Sequence, residues 1–168
     1  MRVNGLRNRS VIMARFFKDC FTQWLEAQGS PPEIYQPGGF FGCPPMGWQH
    51  TQRGTAIVYV VRKEEPETLH IIMFEREQNR KGLGSPFATL IRFLRLIQRS
   101  DSGITHVTGR INAIEGRPAD SLETERMKPF YTAHLGGHYF TDEQGIEWVR
   151  GSVAVALETL ASTRERRS

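Results

Sequence analysis

The sequence predicts a single domain of the mixed α/β (α+β) class, built on one mixed sheet with helices on both faces. Its 168 residues are 39% hydrophobic and 24% charged, a composition that excludes a disordered tail or a coiled-coil rod. β-branched and aromatic residues fill 55–62, and apolar residues alternate over 69–77, as in strands. Apolar residues recur at helical spacing over 86–99. Strands and helices that succeed each other in this way form a mixed sheet.

The first element is predicted to be a helix over 12–28, which Gly29 ends before Pro31 and Pro32. Residues 1–12 are expected to be a flexible basic N-terminus, and Met13 is a plausible alternative start. The domain is expected to span 13–162, and 163–168 are expected to form a basic disordered tail.

A glycine- and proline-rich segment, 36–48, follows this helix. It holds four Gly, three Pro and three aromatic residues, so no regular structure is expected there. Two interpretations stay open for the three aromatics. They anchor a loop to the core, or they form a lid or partner-binding surface. The residues concerned are Phe40, Phe41 and Trp48.

The rest of the chain reads as alternating strands and helices. An exposed turn at 63–67 joins the first two strands, and Ser85 caps a helix from Pro86 to about Arg99. The face of this helix predicted to be buried carries Phe87, Leu90, Ile91, Leu94 and Ile97. The later elements are a strand at 104–111, a helix at 121–134, a hairpin of 138–141 and 146–149, and a helix at 152–162.

Composition also limits the function classes. The longest apolar runs, such as 56–61, are too short to cross a membrane, and no signal-peptide cleavage site follows the basic N-terminus. Cys20 and Cys43 lack metal-ligand spacing and indicate free thiols in a reducing cytoplasm. His134 and His138 have the spacing of a helical metal pair, but two glycines separate them, so no metal site is expected. The net charge of +4 lies mainly at the chain ends, which makes nucleic-acid binding a weak alternative.

A short glycine motif lies between the second strand and the helix that follows it. The turn Gly82-Leu83-Gly84 would present free backbone N–H groups and the positive end of the helix dipole to an anion. Arg80 and Lys81 would add positive charge. The motif lacks the Gly-Lys-Ser/Thr of a Walker loop and the third glycine of a dinucleotide fold, and a plain tight turn can have the same sequence.

The same segment resembles the pyrophosphate loop, Gln/Arg-x-x-Gly-x-Gly/Ala, of the GNAT acyltransferases, with Asn79 in place of Gln or Arg. Phe130-Tyr131 before Leu135-Gly136 is similar to a downstream helix end of that family, with one extra residue. The resemblance covers about 54–140. It implies a GNAT-like fold and an acetyl-CoA-dependent N-acyltransferase, in which Glu75 or Glu77 is the general base and Tyr131 protonates the leaving thiolate. The implied loop for coenzyme A or acetyl-CoA consists of Asn79, Arg80, Lys81, Gly82, Leu83, Gly84 and Ser85.

A second resemblance extends further along the chain. The spacing Glu77-Gln78…Gly82-Leu83-x-x-Pro86-Phe87-Ala88, with Trp24-Leu25…Gly29, is similar to the LcrR family of type III secretion regulators. It covers most of 13–150. It implies a cytosolic bacterial protein, encoded with type III secretion genes, that influences the low-calcium response.

The two resemblances are compatible, because a GNAT-like fold can serve secretion control without acyl chemistry. The favoured function is therefore a non-catalytic regulatory or chaperone-like accessory that binds type III secretion proteins, with a homodimer possible. An N-acyltransferase is the first alternative. A nucleic-acid-binding regulator is the second.

Overall fold

The computed structural model describes residues 17–36, 44–52, 54–76, 86–110 and 137–166. In these ranges the chain forms three helices and one seven-stranded sheet. The helices are α1 (Cys20–Ala27), α2 (Pro86–Ser100) and α3 (Val153–Arg166). The strands are β1 (Glu33–Tyr35), β2 (Gly47–Gln52), β3 (Thr55–Arg62), β4 (Glu65–Arg76), β5 (His106–Arg110), β6 (His138–Thr141) and β7 (Glu147–Ser152). The predicted mixed α/β class is confirmed.

The sheet has the strand order β1-β2-β3-β4-β5-β7-β6. Strands β4 and β5 are parallel, with Leu69 beside Val107, and all other neighbours are antiparallel. A parallel pair needs a long crossover connection, and here the crossover contains α2. Within the described ranges, the chain therefore crosses over the sheet between β4 and β5.

The β3–β4 hairpin is irregular at two points. Arg62 pairs with Glu65 across a two-residue turn, and 66–68 then lie between this pair and the next, Val61 with Leu69. This irregularity accommodates Pro66, which has no N–H to donate to a regular ladder. Further along, Ile72 is an extra residue between the pairs Tyr59–Ile71 and Val58–Met73, which makes a β-bulge.

Helix α1 begins at Cys20, not at residue 12 as the apolar pattern suggested. Asp19 has extended backbone angles and its side chain accepts a hydrogen bond from the Thr22 backbone N–H, so it is the N-cap. At the other end Gly29 has φ +83°, and Gly29 and Ser30 donate to the carbonyls of Glu26 and Leu25. This is a Schellman motif, and the predicted stop at Gly29 is confirmed. Residues 12–16 lie outside the described part.

All three described helices pack into one core on one face of the sheet. Alternate residues of β3 face this core, and their partners across the sheet share the face. The strands contribute Trp48, Ile57, Tyr59, Val61, Leu69, Ile71, Val107 and Val149, and the helices contribute Phe21, Leu25, Leu90, Phe93, Leu94, Ile97, Val153 and Ala156. The helix predicted over 121–134 lies outside the described residues.

Strands β1 and β2 were missed by the sequence analysis. Strand β2 begins at Gly47, inside the segment where no regular structure was expected. A Cβ at Gly47 would lie 2.6 Å from the Tyr59 carbonyl oxygen, so the glycine lets β2 approach β3 closely. The glycine therefore belongs to a strand and not to a turn.

Two further elements depart from their predicted limits. Helix α3 continues to Arg166, so the predicted tail is helical over its first four residues, 163–166. On α2, Phe93 is fully buried although it was not predicted to be, and Ile91 is only half-buried. Strand β3, helix α2 and the β6–β7 hairpin lie close to the positions predicted for them.

Candidate functional site

The segment that was predicted to form an acyl-CoA site is described at its two ends. Strand β4 ends at Arg76 and α2 begins at Pro86, so the glycine motif lies between a strand and a helix, as predicted. Glu75 lies in β4, where it pairs with Ala56 of β3. The other predicted residues lie outside the described part of the chain: Glu77, Asn79, Arg80, Lys81, Gly82, Leu83, Gly84, Ser85 and Tyr131. Their roles stay predictions.

Trp48 is the one described member of the predicted aromatic surface. It lies in β2 opposite Tyr59, its side chain is 7% exposed, and it belongs to the core. The assignment of Trp48 to an irregular loop is wrong. Its burial agrees with the core-anchor interpretation of this residue and not with a contact surface. Phe40 and Phe41 lie outside the described residues.

A polar cluster occupies the sheet face opposite the helices. His70 Nδ1 lies 2.6 Å from Thr108 Oγ1, and its Nε2 lies 3.2 Å from Glu65 Oε2. Burial and the nearby Arg62 lower the pKa of His70, so the imidazole is neutral at pH 7.

This cluster has the order carboxylate, imidazole, hydroxyl, which is also the order of a nucleophilic triad. Thr108 is only 1% exposed, so its hydroxyl has no access to a substrate. The cluster therefore joins β4 to β5 and does not form an active site. No sequence motif indicates this cluster, because Thr108 lies 38 residues from His70 along the chain.

The side chain of Asp142 reinforces the β6–β7 hairpin. Asp142 Oδ1 accepts hydrogen bonds from the backbone N–H groups of Gln144 and Ile146, and Oδ2 accepts one from Trp148 Nε1, each at 2.9 Å. The bond from Trp148 is the main reason that the pKa of Asp142 lies below its usual value. Because this carboxylate accepts hydrogen bonds both from the turn and from β7, it fixes the turn relative to β7. The position of the adjoining strand β6 is fixed with it.

Strand β6 is the last strand of the sheet on this side, within the described residues. All four of its residues are exposed, including Tyr139 at 48% and Phe140 at 40%. Neighbouring residues of a strand face opposite sides of the sheet, so one aromatic ring lies on each side. We call the outer edge of β6 with these two rings the edge surface.

Residues 18–166 match the family described as Type III secretion system regulator (LcrR). The chain belongs to the LcrR family. The resemblance found in the sequence is thereby confirmed, and the family identifies this chain as a type III secretion system regulator.

A search of curated proteins found no match. Among solved structures, an acetyltransferase from Thermus thermophilus is similar over 62% of this chain and 62% of its own, with 15% sequence identity and a TM-score of 0.40. No helix in the described ranges is long and apolar enough to span a membrane.

The edge surface is a feature that sequence analysis of this LcrR-family chain did not single out. The hairpin itself was predicted, and His138-Tyr139-Phe140-Thr141 was visible as an aromatic strand. The position of this strand in the sheet could not be predicted from the sequence. Two neighbouring aromatic residues are ordinary in an inner strand but unusual in an exposed edge strand.

Proposed function

We propose that this LcrR-family protein regulates type III secretion by binding an extended segment of another secretion protein along the edge surface, without catalysis. The observation that supports this proposal is the exposure of Tyr139 and Phe140 on the outermost described strand. The proposal places this binding in the bacterial cytoplasm.

The two ends of the described sheet differ in how they are protected. Proteins commonly protect an edge strand with proline, charged side chains or very short length. Strand β1 is three residues long, follows Pro31-Pro32 and begins with Glu33. Strand β6, with four residues, is nearly as short, but it contains no proline, Lys, Arg, Asp or Glu. This contrast favours β6 as an edge adapted to pairing.

An added strand would use both components of the edge surface. Backbone groups on the outer side of β6 would pair with the backbone of the incoming segment, as in β-strand addition. Tyr139 on one side and Phe140 on the other would contact alternate side chains of that segment, so it should carry apolar residues at every second position. Such a segment of a type III secretion protein is the occupant that we propose.

The test replaces Phe140 with Lys, a residue that natural edge strands use against pairing. Val155 of α3 has a similar exposure, 45%, and Val155→Lys is the matched control. Binding is measured by calorimetry against each purified secretion protein of the same bacterium, and circular dichroism verifies that both variants fold. We expect Phe140→Lys to abolish binding and Val155→Lys to preserve it.

Three results would contradict the proposal. Equal loss of binding in both variants would show that charge anywhere on the surface is harmful. Unchanged binding by Phe140→Lys would place the contact elsewhere. A wild-type protein that sediments as a dimer and becomes a monomer on Phe140→Lys would show that the edge pairs with a second copy of this chain.

A further inference from the structure

A cavity of about 220 Å³ lies between the end of α1, strand β2 and the end of α2. It has room for about seven water molecules at the ~30 Å³ that each occupies in the liquid. Trp24, Leu25 and Leu96 supply apolar walls, and the polar lining includes His50, Gln52 and Arg99. It borders β2, whereas the edge surface lies at the opposite end of the strand order.

Two buried polar atoms of this lining have no hydrogen-bond partner, His50 Nε2 and Gln52 Oε1. Both atoms lie in the described ranges, and no described residue pairs with them. His50 is 5% exposed, and its ring packs against Phe93 with the ring centroids 5.9 Å apart. Because buried polar groups are almost always paired, a pair of unpaired ones beside a cavity calls for a partner inside it.

The two side chains are arranged to act together. His50 and Gln52 are two residues apart on β2, so they lie on the same side of the strand, facing the helices. Burial lowers the pKa of His50, so its imidazole is neutral at pH 7, and Nε2 donates or accepts one hydrogen bond according to the tautomer. The pair thus suits a ligand group that both donates and accepts, such as a hydroxyl or an amine.

Arg99 supplies the charge. It is exposed, in the last turn of α2, and it lines the cavity, so it lies where the cavity opens to solvent. Of the described residues that line the cavity, Arg99 alone carries a formal charge. A single guanidinium binds a carboxylate through two parallel hydrogen bonds and neutralises it completely, whereas a phosphate dianion would keep excess charge.

We propose that this cavity binds a small carboxylic acid that also bears a hydroxyl or amino group. The carboxylate pairs with Arg99 at the opening, the hydroxyl or amino group meets His50 and Gln52, and an apolar body lies against Trp24 and Leu96. The volume is below the roughly 300–1,000 Å³ of sites for drug-sized ligands, so the ligand is about the size of a single substituted ring.

The probe for the test is 4-hydroxybenzoate, which carries a carboxylate, an apolar ring and a hydroxyl. Benzoate lacks the hydroxyl, and 4-hydroxybenzyl alcohol lacks the charge. Each is titrated into the full chain while the Trp24 indole N–H signal is followed by NMR. We expect a saturable shift with 4-hydroxybenzoate, weaker binding of benzoate, and no saturable shift with the alcohol.

Substitutions in the lining test whether the ligand binds in this cavity. Arg99→Gln should weaken binding of 4-hydroxybenzoate by roughly 10- to 100-fold, the usual effect of losing a charge-assisted pair. Arg95→Gln is the matched control, because Arg95 is an exposed arginine one turn earlier on α2 that does not line the cavity. Gln52→Leu should erase the preference for 4-hydroxybenzoate over benzoate.

Three results would overturn the proposal. The absence of a saturable shift with both carboxylates would mean that the cavity holds water only. If 4-hydroxybenzyl alcohol bound as tightly as 4-hydroxybenzoate, Arg99 would have no role in binding. If Arg95→Gln weakened binding as much as Arg99→Gln, the net charge of the protein would explain the effect. None of these experiments uses a secretion partner, so their outcome is independent of the edge surface.

Discussion

Replacing Thr22 with Val tests whether a buried chain of hydrogen bonds ties α1 to the sheet. Thr22 Oγ1 donates to Asp19 Oδ2 at 2.7 Å and lies 2.7 Å from the Tyr59 hydroxyl, which therefore donates to it. All three residues are buried. Burial raises the pKa of Tyr59 far above its usual range, so its hydroxyl stays protonated and stays a donor.

The size of the effect follows from what each substitution leaves behind. Valine has the shape of threonine, so Thr22→Val makes no cavity, but it leaves the Tyr59 hydroxyl and one Asp19 oxygen without their partner. Each unpaired buried group costs about 1–3 kcal/mol, so the two together should lower the unfolding free energy by about 2–6 kcal/mol. Tyr59→Phe removes the donor itself and should cost only about 1 kcal/mol.

The assay is urea unfolding followed by tryptophan fluorescence, with thermal melting as a second measurement. For a chain of this length the Thr22→Val loss should lower Tm by roughly 4–24 °C. Thr51→Val is the control, because Thr51 is an exposed threonine in β2, and it should change the unfolding free energy by less than about 0.5 kcal/mol.

The double variant decides whether the chain of hydrogen bonds is the cause. Once Tyr59→Phe has removed the hydroxyl, Thr22→Val leaves no tyrosine donor unpaired. The combined loss should therefore be smaller than the sum of the single losses by about 1 kcal/mol or more. Strict additivity, or equal losses in the two single variants, would refute the argument.

Three further predictions test the backbone, the titrating core and the coenzyme question. Gly47→Ala should be more destabilising in urea than Gly29→Ala, because its Cβ would meet the Tyr59 carbonyl oxygen at 2.6 Å, whereas a Cβ at Gly29 has no atom within 4 Å and only its φ of +83° is strained; the reverse order would contradict the close approach of β2 and β3. Burial and Arg62 lower the pKa of His70 in the folded chain, whereas the pKa of an unfolded histidine is about 6.5. Between these two pKa values the unfolded chain binds more protons than the folded chain. The unfolding free energy should therefore fall on acidification from pH 7. His70→Gln should flatten this dependence, and an equally steep dependence in that variant would exclude His70 as the cause. If the protein is non-catalytic, coenzyme A and acetyl-CoA should leave Tm unchanged, whereas a ligand at 100 times its Kd would raise it by roughly 5–10 °C.

The sequence predicted best those elements whose residues carry a strong local pattern. Strand β3 has continuous β-branched and aromatic character, and α2 has a clear apolar face, so both were found within a residue of their limits. Strand β2 has no such pattern, because the residues after Trp48 that face the core are His50 and Gln52. These two polar side chains border a cavity, and only the packing of α1 and α2 against β2 creates that environment.

Buried faces were predicted less accurately than the elements themselves. On α2 the expected stripe passed through Ile91, but the fully buried residue is Phe93. The ring of Phe93 lies 5.5 Å from that of Phe21 and 5.6 Å from that of Tyr59. Those partners come from α1 and β3, so the rotation of α2 about its axis depends on long-range contacts that helical spacing alone does not contain.

The edge surface depends on an inversion of chain order in the sheet. Strand β6 precedes β7 along the chain, yet β7 pairs with β5 and β6 lies outside it. The sequences of the two strands explain the choice. Trp148 and Val149 are both buried, so β7 presents large apolar side chains to both faces and is stabilised most at an inner position. With β6 inside instead, those two residues would lie at the rim, and Tyr139 and Phe140 would be covered. The hairpin could be predicted from its turn, but its orientation follows from which strand gains more by burial, and that orientation is what exposes the proposed binding edge.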